Sequence, residues 1–189
     1  MNRIVKITGL MVCIGIIFAA SVQAEEEYKY RLKWLFNASV AGDIYATERG
    51  YFEKAGLKVE VKEGGPEKNA IKELELGQAH FGVASADQVI RALEKGAKVV
   101  VLAQIFQVNP MQWIYRTEIP EIKKLDDLKG KNIGVTFGGN DESILNTLFS
   151  KGNIKKGDVE ITSARFDFSP FLTKKVDVWP VYRNSQGVI

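Results

Sequence analysis

Several short stretches carry polar or aromatic groups where regular structure should end, and such points are where recognition chemistry is built. Trp34 and Asn37 follow the first alternating segment. The indole offers a flat apolar face, and the amide both donates and accepts hydrogen bonds. Ser85-Ala86-Asp87-Gln88 follows a short apolar run. A hydroxyl and the unpaired N–H groups of a starting helix would face a bound molecule there. Gly138-Gly139-Asn140 follows a later strand-like segment, and its glycines permit close backbone approach to a small polar group. Trp179 and Tyr182 lie in and at the end of the last such segment, with Asn184 just beyond. These are groups that bind. No Gly-x-Ser-x-Gly, phosphate loop, zinc-ligand spacing or paired carboxylates accompany them.

Each residue also has a plainer role open to it. Ser85 serves equally as the N-cap of its own helix. Asp87 is a first-turn acid, favourable there through the helix dipole alone. Trp34 and Trp179 can be core aromatics, and strand-end exposure accounts for Tyr182 and Asn184. Gly64-Gly65-Pro66 reads as a turn rather than a binding loop. His80 is the single histidine and reads as structural.

The elements that would position these groups alternate in type. Tyr28 to Leu35 and Leu57 to Lys62 have a period of two. Between them Asp43 to Ala55 is near-helical, interrupted at Gly50. Lys68 to Leu76 predicts a short helix burying Ile71, Leu74 and Leu76. Phe81-Gly82-Val83-Ala84 reads as a central strand buried on both faces, and a helix from Ala86 to Lys95 stops at Gly96. Val99 to Ile105 is the strongest strand signal in the chain. Met111 to Tyr115, Lys131 to Thr136, Val159 to Ala164 and Val176 to Val181 predict four more strands. Leu125 to Leu128 predicts a brief helix, and another carries Ile144, Leu145 and Leu148. Strands alternating with helices of about ten residues predict an α/β fold with a parallel sheet. Open sheets of that kind bind ligands at the carboxyl ends of their strands.

The first residues bear on the compartment. Arg3 and Lys6 precede an apolar run from Ile7 to Ala20, followed by Ser-Val-Gln-Ala at 21 to 24. This pattern predicts a signal peptide over residues 1–24, cleaved after Ala24. A retained anchor is the rival, but the run falls short of the ~20 residues that span a bilayer. Cys13 is the only cysteine and lies inside the run, so the mature chain would have no thiol. Disulfides, thiolate catalysis and cysteine-rich metal sites are thereby excluded. Cleavage removes two of the 26 Lys and Arg residues, leaving 24 against 23 acids. A nearly neutral chain without basic blocks argues against nucleic acid and against membrane insertion after cleavage.

The chain resembles the periplasmic binding proteins that include thiamine-pyrimidine-precursor, alkanesulfonate and taurine binders. Trp34 with Asn37, Gly50 to Val59, Glu63 to Pro66, Phe81 to Asp87, Leu125 to Lys131 and Val176 to Tyr182 carry the resemblance. It implies a type II-like, two-lobed α/β fold whose second lobe is incomplete, since such proteins run about as far again. The implied division is a first lobe over 25–116 and a partial second lobe over 117–189, with the polar stretch from Thr117 to Lys124 as crossover. A small-molecule ligand would sit between the lobes, without a cofactor, and an ABC permease in the inner membrane would be the partner.

Ligand-contact candidates are Trp34, Asn37, Ser85, Asp87, Gln88, Gly138, Gly139, Asn140, Trp179 and Tyr182. Aromatic faces suit a flat heterocycle, whereas N–H groups suit a carboxylate, sulfonate or phosphate. The resemblance favours a thiamine-pyrimidine-like solute, although Val40 stands where that branch commonly has histidine. A eukaryotic thiamine-pyrimidine synthase is also similar, but its reactive histidine falls at Gln88 and its cysteine-rich motif has no counterpart. A binding role is therefore expected, not an enzyme. The alternatives are a periplasmic sensor without transport, and a non-functional fragment of a binding protein.

Overall fold

A computed structural model describes residues 26–165 and 167–185. The expected signal peptide with Cys13, its cleavage point and the terminal Gly187-Val188-Ile189 lie outside the described residues. Two sheets organise what remains.

The first sheet has the order β2-β1-β3 and is parallel throughout. Strand β1 is Glu27–Arg31 and β2 is Lys58–Lys62, paired from Glu27 with Lys58 to Arg31 with Lys62. A 3-10 turn at Ala38–Val40, helix α1 (Ala41–Glu48) and helix α2 (Tyr51–Lys54) connect them. Gly50 separates these helices at φ +62°, a left-handed conformation open to glycine at little cost. Helix α3 (Ala70–Glu75) starts at Asn69, whose side chain accepts from the Lys72 N–H. Strand β3 is only Phe81–Gly82, and α4 (Ala86–Glu94) follows it.

The second sheet has the order β4-β7-β5-β6. Strand β4 (Met111–Tyr115) runs antiparallel to β7 (Val178–Tyr182). Strands β5 (Asn132–Val135) and β6 (Glu160–Ser163) are parallel, and β5 meets β7 at Ile133 and Val178. Helix α5 (Asn140–Lys151) joins β5 to β6, and α6 (Ser169–Leu172) precedes β7. Leu125–Leu128 forms the expected short helix as a 3-10 turn.

Three expectations fail. Phe81 to Ala84 is not a buried central strand, because among the described residues β3 has β1 as its one neighbour and Phe81 is 43% exposed. Val99 to Ile105 forms no strand, and Val100 and Leu102 are 82% and 75% exposed. Propensity there finds no neighbouring edge among the described residues, and strands exist only in pairs. Leu76 caps the end of α3 and points outward, leaving Ile71 as the buried residue of its face. The pairing of β4 with β7 also means that an expected division at 116/117 passes between strands of one sheet. Arg116, just after β4, reinforces that sheet by an ion pair of 3.0 Å to Asp177.

Apolar burial is concentrated in the second sheet. Ile133, Val135 and Val178 pack with Leu145 and Phe149 of α5, and Phe171, Val176, Trp179 and Val181 form a second cluster. In the first lobe the buried apolar residues include Leu32, Ala70, Ile71 and Ala79. An Arg31–Glu73 ion pair of 2.7 Å, with both side chains largely covered, ties β1 to α3.

Candidate functional site

Backbone pairing carries β1 beyond its last regular residue. Leu32 donates to the Lys62 carbonyl at 2.8 Å, and Gly64 donates to the Trp34 carbonyl at 2.9 Å. Gly64 lies so close that an added Cβ would stand 2.0 Å from the Leu32 carbonyl oxygen. This contact fixes Lys33 and Trp34 at the carboxyl end of the first sheet. Glu63 assists, because its carboxylate accepts from the Phe36 N–H at 2.9 Å.

The facing surface comes from the turn between β5 and α5. Gly138 has φ +78°, and a Cβ on Gly139 would lie 2.3 Å from Asp141 Oδ1. Asp141 accepts from the Thr136 N–H at 2.6 Å, and Glu142 accepts from the Gly138 N–H at 2.8 Å. The turn is thus closed by acids of its own helix, in keeping with the positive end of the helix dipole.

The two lobes meet at three side chains. Lys33 Nζ donates to Asn140 Oδ1 at 3.3 Å, and the Tyr182 hydroxyl donates to the same oxygen at 3.2 Å. The Lys33 ammonium also lies 5.8 Å from the centre of the Tyr182 ring. Asn140 is 2% exposed, yet its buried Nδ2 has no hydrogen-bond partner among the described residues. An unpartnered buried amide donor costs desolvation without return. Beside this cluster, Lys33, Trp34, Ala84, Gln88, Gly138 and Gly139 line a cavity of about 30 Å³, room for one or two waters.

Burial sets the electrostatics. It lowers the pKa of Lys33, against the opposing influence of Asp87 and Asp141. It raises Asp141, although the Thr136 hydrogen bond favours that carboxylate. Burial also pushes Tyr182 up to about 12. Tyr30 is raised too, by burial first and then by Asp43, which accepts its hydroxyl at 3.0 Å. Between the ordinary tyrosine value of about 10 and about 12, the folded chain keeps phenolic protons that the unfolded chain releases. Stability should therefore fall as pH rises above about 10. In an alkaline titration followed by tyrosinate absorbance, Tyr30 and Tyr182 are expected in a late phase, and Tyr182→Phe should shrink that phase.

The sequence-derived candidates separate into two groups. Trp34, Gln88, Gly138 and Gly139 line the cavity, and Asn140 and Tyr182 join the two lobes. Asn37 is turned into its own loop. Its Nδ2 donates to the Leu35 carbonyl, and its Oδ1 accepts from both the N–H and hydroxyl of Ser39. The Ser85 hydroxyl and N–H both donate to Gln88 Oε1, at 3.0 and 3.2 Å, so Ser85 serves its own helix. Asp87 pairs with Arg91 at 2.9 Å, and Arg91 reaches Ser143 of α5 in the other lobe. Trp179 is 4% exposed and packs edge-on against Phe168, away from the cleft. Sequence reasoning misses Lys33 in the cleft, and Gly65 and Pro66, read there as a turn rather than a binding loop, also line the cavity. The strand-end rule that selects Trp34 would find Lys33 one residue earlier.

Two lobes meeting at the carboxyl ends of β1 and β5 define the class of type II periplasmic-binding-protein folds. Solved structures are similar in this respect. The periplasmic aliphatic sulphonate binding protein of Escherichia coli superposes with a TM-score of 0.63 at 19% identity. The match covers 83% of this chain and 51% of that one. The alkanesulfonate-binding protein of Xanthomonas axonopodis pv. citri, bound to MOPS, gives 0.62 at 18%, covering 84% and 55%.

The family model described as NMT1/THI5 like matches residues 37–189, and the chain belongs to that family. A Haemophilus influenzae protein with the provisional name of thiamine biosynthesis protein is 27% identical over 173 residues. That alignment takes in 90% of this chain and 55% of the relative. A provisionally named binding protein of Brucella abortus is 25% identical over 190 residues, 96% of this chain and 56% of its own. The chain spans about half the length of these relatives. No helix among the described residues is long and apolar enough to cross a membrane.

Proposed function

We propose that the chain acts as the ligand-capturing part of an extracytoplasmic solute-binding protein serving an ABC importer. A small molecule enters between the lobes, draws them together, and the closed form docks on a membrane permease. Thiamine-pyrimidine-like solutes and sulfonates are the first classes to consider, given the names carried by the relatives and the similar structures. The names that specify binding, those of the Brucella relative and of the sulfonate-binding structures, favour binding over catalysis, while the Haemophilus influenzae relative is named for thiamine biosynthesis. One observation carries the reading: Lys33 and Tyr182, from different sheets, converge on Asn140, whose buried Nδ2 lacks a partner among the described residues. A ligand acceptor would complete that amide. Widening the small cavity by relative movement of the lobes would admit the ligand.

Thermal unfolding of the full chain, with and without thiamine pyrimidines, sulfonates and aromatic carboxylates, tests the proposal. Selective binding to the folded state raises the melting temperature. A rise with one class, lost in Asn140→Ala, supports capture in this cleft. A cooperative melt that no class moves removes the solute-binding reading and leaves a sensor or interaction role.

A further inference from the structure

We infer that Lys33 is the specificity-determining residue of this cleft, and that the ligand it selects carries a small oxyanion: a carboxylate, sulfonate or phosphate. The inference rests on the binding reading above and deepens it. It starts from an imbalance of donors. Lys33 lines the cavity, and the described hydrogen-bond acceptor for its Nζ is a neutral amide oxygen, Asn140 Oδ1 at 3.3 Å. Among the described residues no carboxylate stands within ion-pair distance of Nζ.

The two acids whose fields reach Lys33 are engaged elsewhere. Asp87 pairs with Arg91 at 2.9 Å, and Asp141 accepts from the Thr136 N–H at 2.6 Å. Glu142, in the same turn, accepts from Gly138. The half-buried Lys33 ammonium therefore has no direct ionic partner among the described residues, and burial lowers its pKa. A half-covered cation without an ionic partner is better satisfied when an opposite charge arrives to meet it. An oxyanion in the cavity beside Nζ accepts charge-assisted hydrogen bonds from it and meets its charge. A neutral heterocycle can accept a hydrogen bond from Nζ but leaves its charge unmet. Trp34, on the same cavity wall, can still cover an apolar or flat remainder of the ligand.

Equilibrium binding to the full chain decides the matter with pairs that differ in charge and little else. Suitable probes are benzoate with benzamide, an alkanesulfonate with its sulfonamide, and the hydroxymethylpyrimidine of thiamine with its phosphate ester. In at least one pair the anion should bind about 10- to 100-fold more tightly, the worth of a hydrogen bond to a charged group. Lys33→Met should erase that margin, and Lys33→Arg should keep part of it. Asn140→Asp gives an independent check by placing a carboxylate beside Nζ, so it should also erase anion preference. Melting temperatures of the variants confirm folding. Neutral partners that bind as well as the anions, or undiminished anion binding by Lys33→Met, overturn the inference and leave solute binding intact. Failure of every probe to bind the wild type removes both.

Discussion

Gly64→Ala is expected to destabilise the chain by more than about 3 kcal/mol, among the largest effects of any single methyl group in the molecule. The added Cβ would lie 2.0 Å from the Leu32 carbonyl oxygen, 2.4 Å from the Lys33 carbonyl carbon and 2.6 Å from the Lys33 oxygen. All three are backbone atoms of the segment that continues β1, so no side chain can rotate away. Relief requires the two chains to separate. That movement would stretch the Gly64 N–H bond to Trp34 and the Leu32 N–H bond to Lys62. At a few degrees per kcal/mol for a chain of this size, the melting temperature should fall by about 6–12 °C or more. Gly42→Ala is the control. Gly42 lies in α1, and an added methyl there would meet nothing within 4 Å, so Ala should be neutral or gain up to about 1 kcal/mol. Equal melting of the two variants would show that the strands do not approach so closely. Because the same contact fixes Lys33 and Trp34, any folded Gly64→Ala should also lose ligand affinity.

The parts of this fold that are legible in the sequence are those decided locally. Asn69 before α3, Ser85 before α4 and Gly50 between two helices act through bonds or dihedral angles within a few residues. The strands β5 and β7 are also legible, because α5 and α6 pack against them and give their apolar faces somewhere to go. Val99 to Ile105 misleads for the opposite reason. Its β-branched residues state a preference, but a strand is a relation between two segments, and none of the described residues supplies the second. The pairing of β4 with β7 spans more than sixty residues and leaves no mark in either segment.

The candidate site is legible by position and obscure by chemistry. The strand-end rule points to the carboxyl ends of β1 and β5, and Trp34, Gly138, Gly139 and Asn140 lie there around a small cavity and an interlobe contact. Ser85 and Asn37 have the types of residue that bind ligands, yet both spend their hydrogen bonds on their own loops. Side chains of that kind favour local backbone partners, so type alone does not separate a cap from a contact. Lys33 is the reverse case. A lysine in an alternating segment reads as a solvated strand face, and only the approach of α5 from the other lobe covers it.

Trp179→Ala is expected to cost about 3–5 kcal/mol, as large-to-small changes of buried aromatics do, while leaving the cleft chemistry unchanged. The indole is 4% exposed and meets Phe168 and Phe171 at ring-centroid distances of 5.6 and 6.4 Å. It also presses on β5, since a Cβ at Gly134 would lie 2.8 Å from its Cε3. Removing it opens a hole between β7, α6 and β5 that the glycine opposite cannot fill. Chemical denaturation should register the loss as a lower midpoint, with an unchanged slope if the unfolded state is unaffected. Ligand affinity, measured well below the new melting temperature, should stay within about twofold of wild type. Tyr182, three residues later on the same strand, should behave in the opposite way. Its hydroxyl donates to Asn140, so Tyr182→Phe should weaken ligand binding more than it weakens the fold. The strand alternates its faces, and an odd spacing of three puts the core residue on one side and the cleft residue on the other. Affinity that collapsed with Trp179→Ala while the midpoint held would reverse the assignment, making Trp179 the ligand's aromatic wall after all.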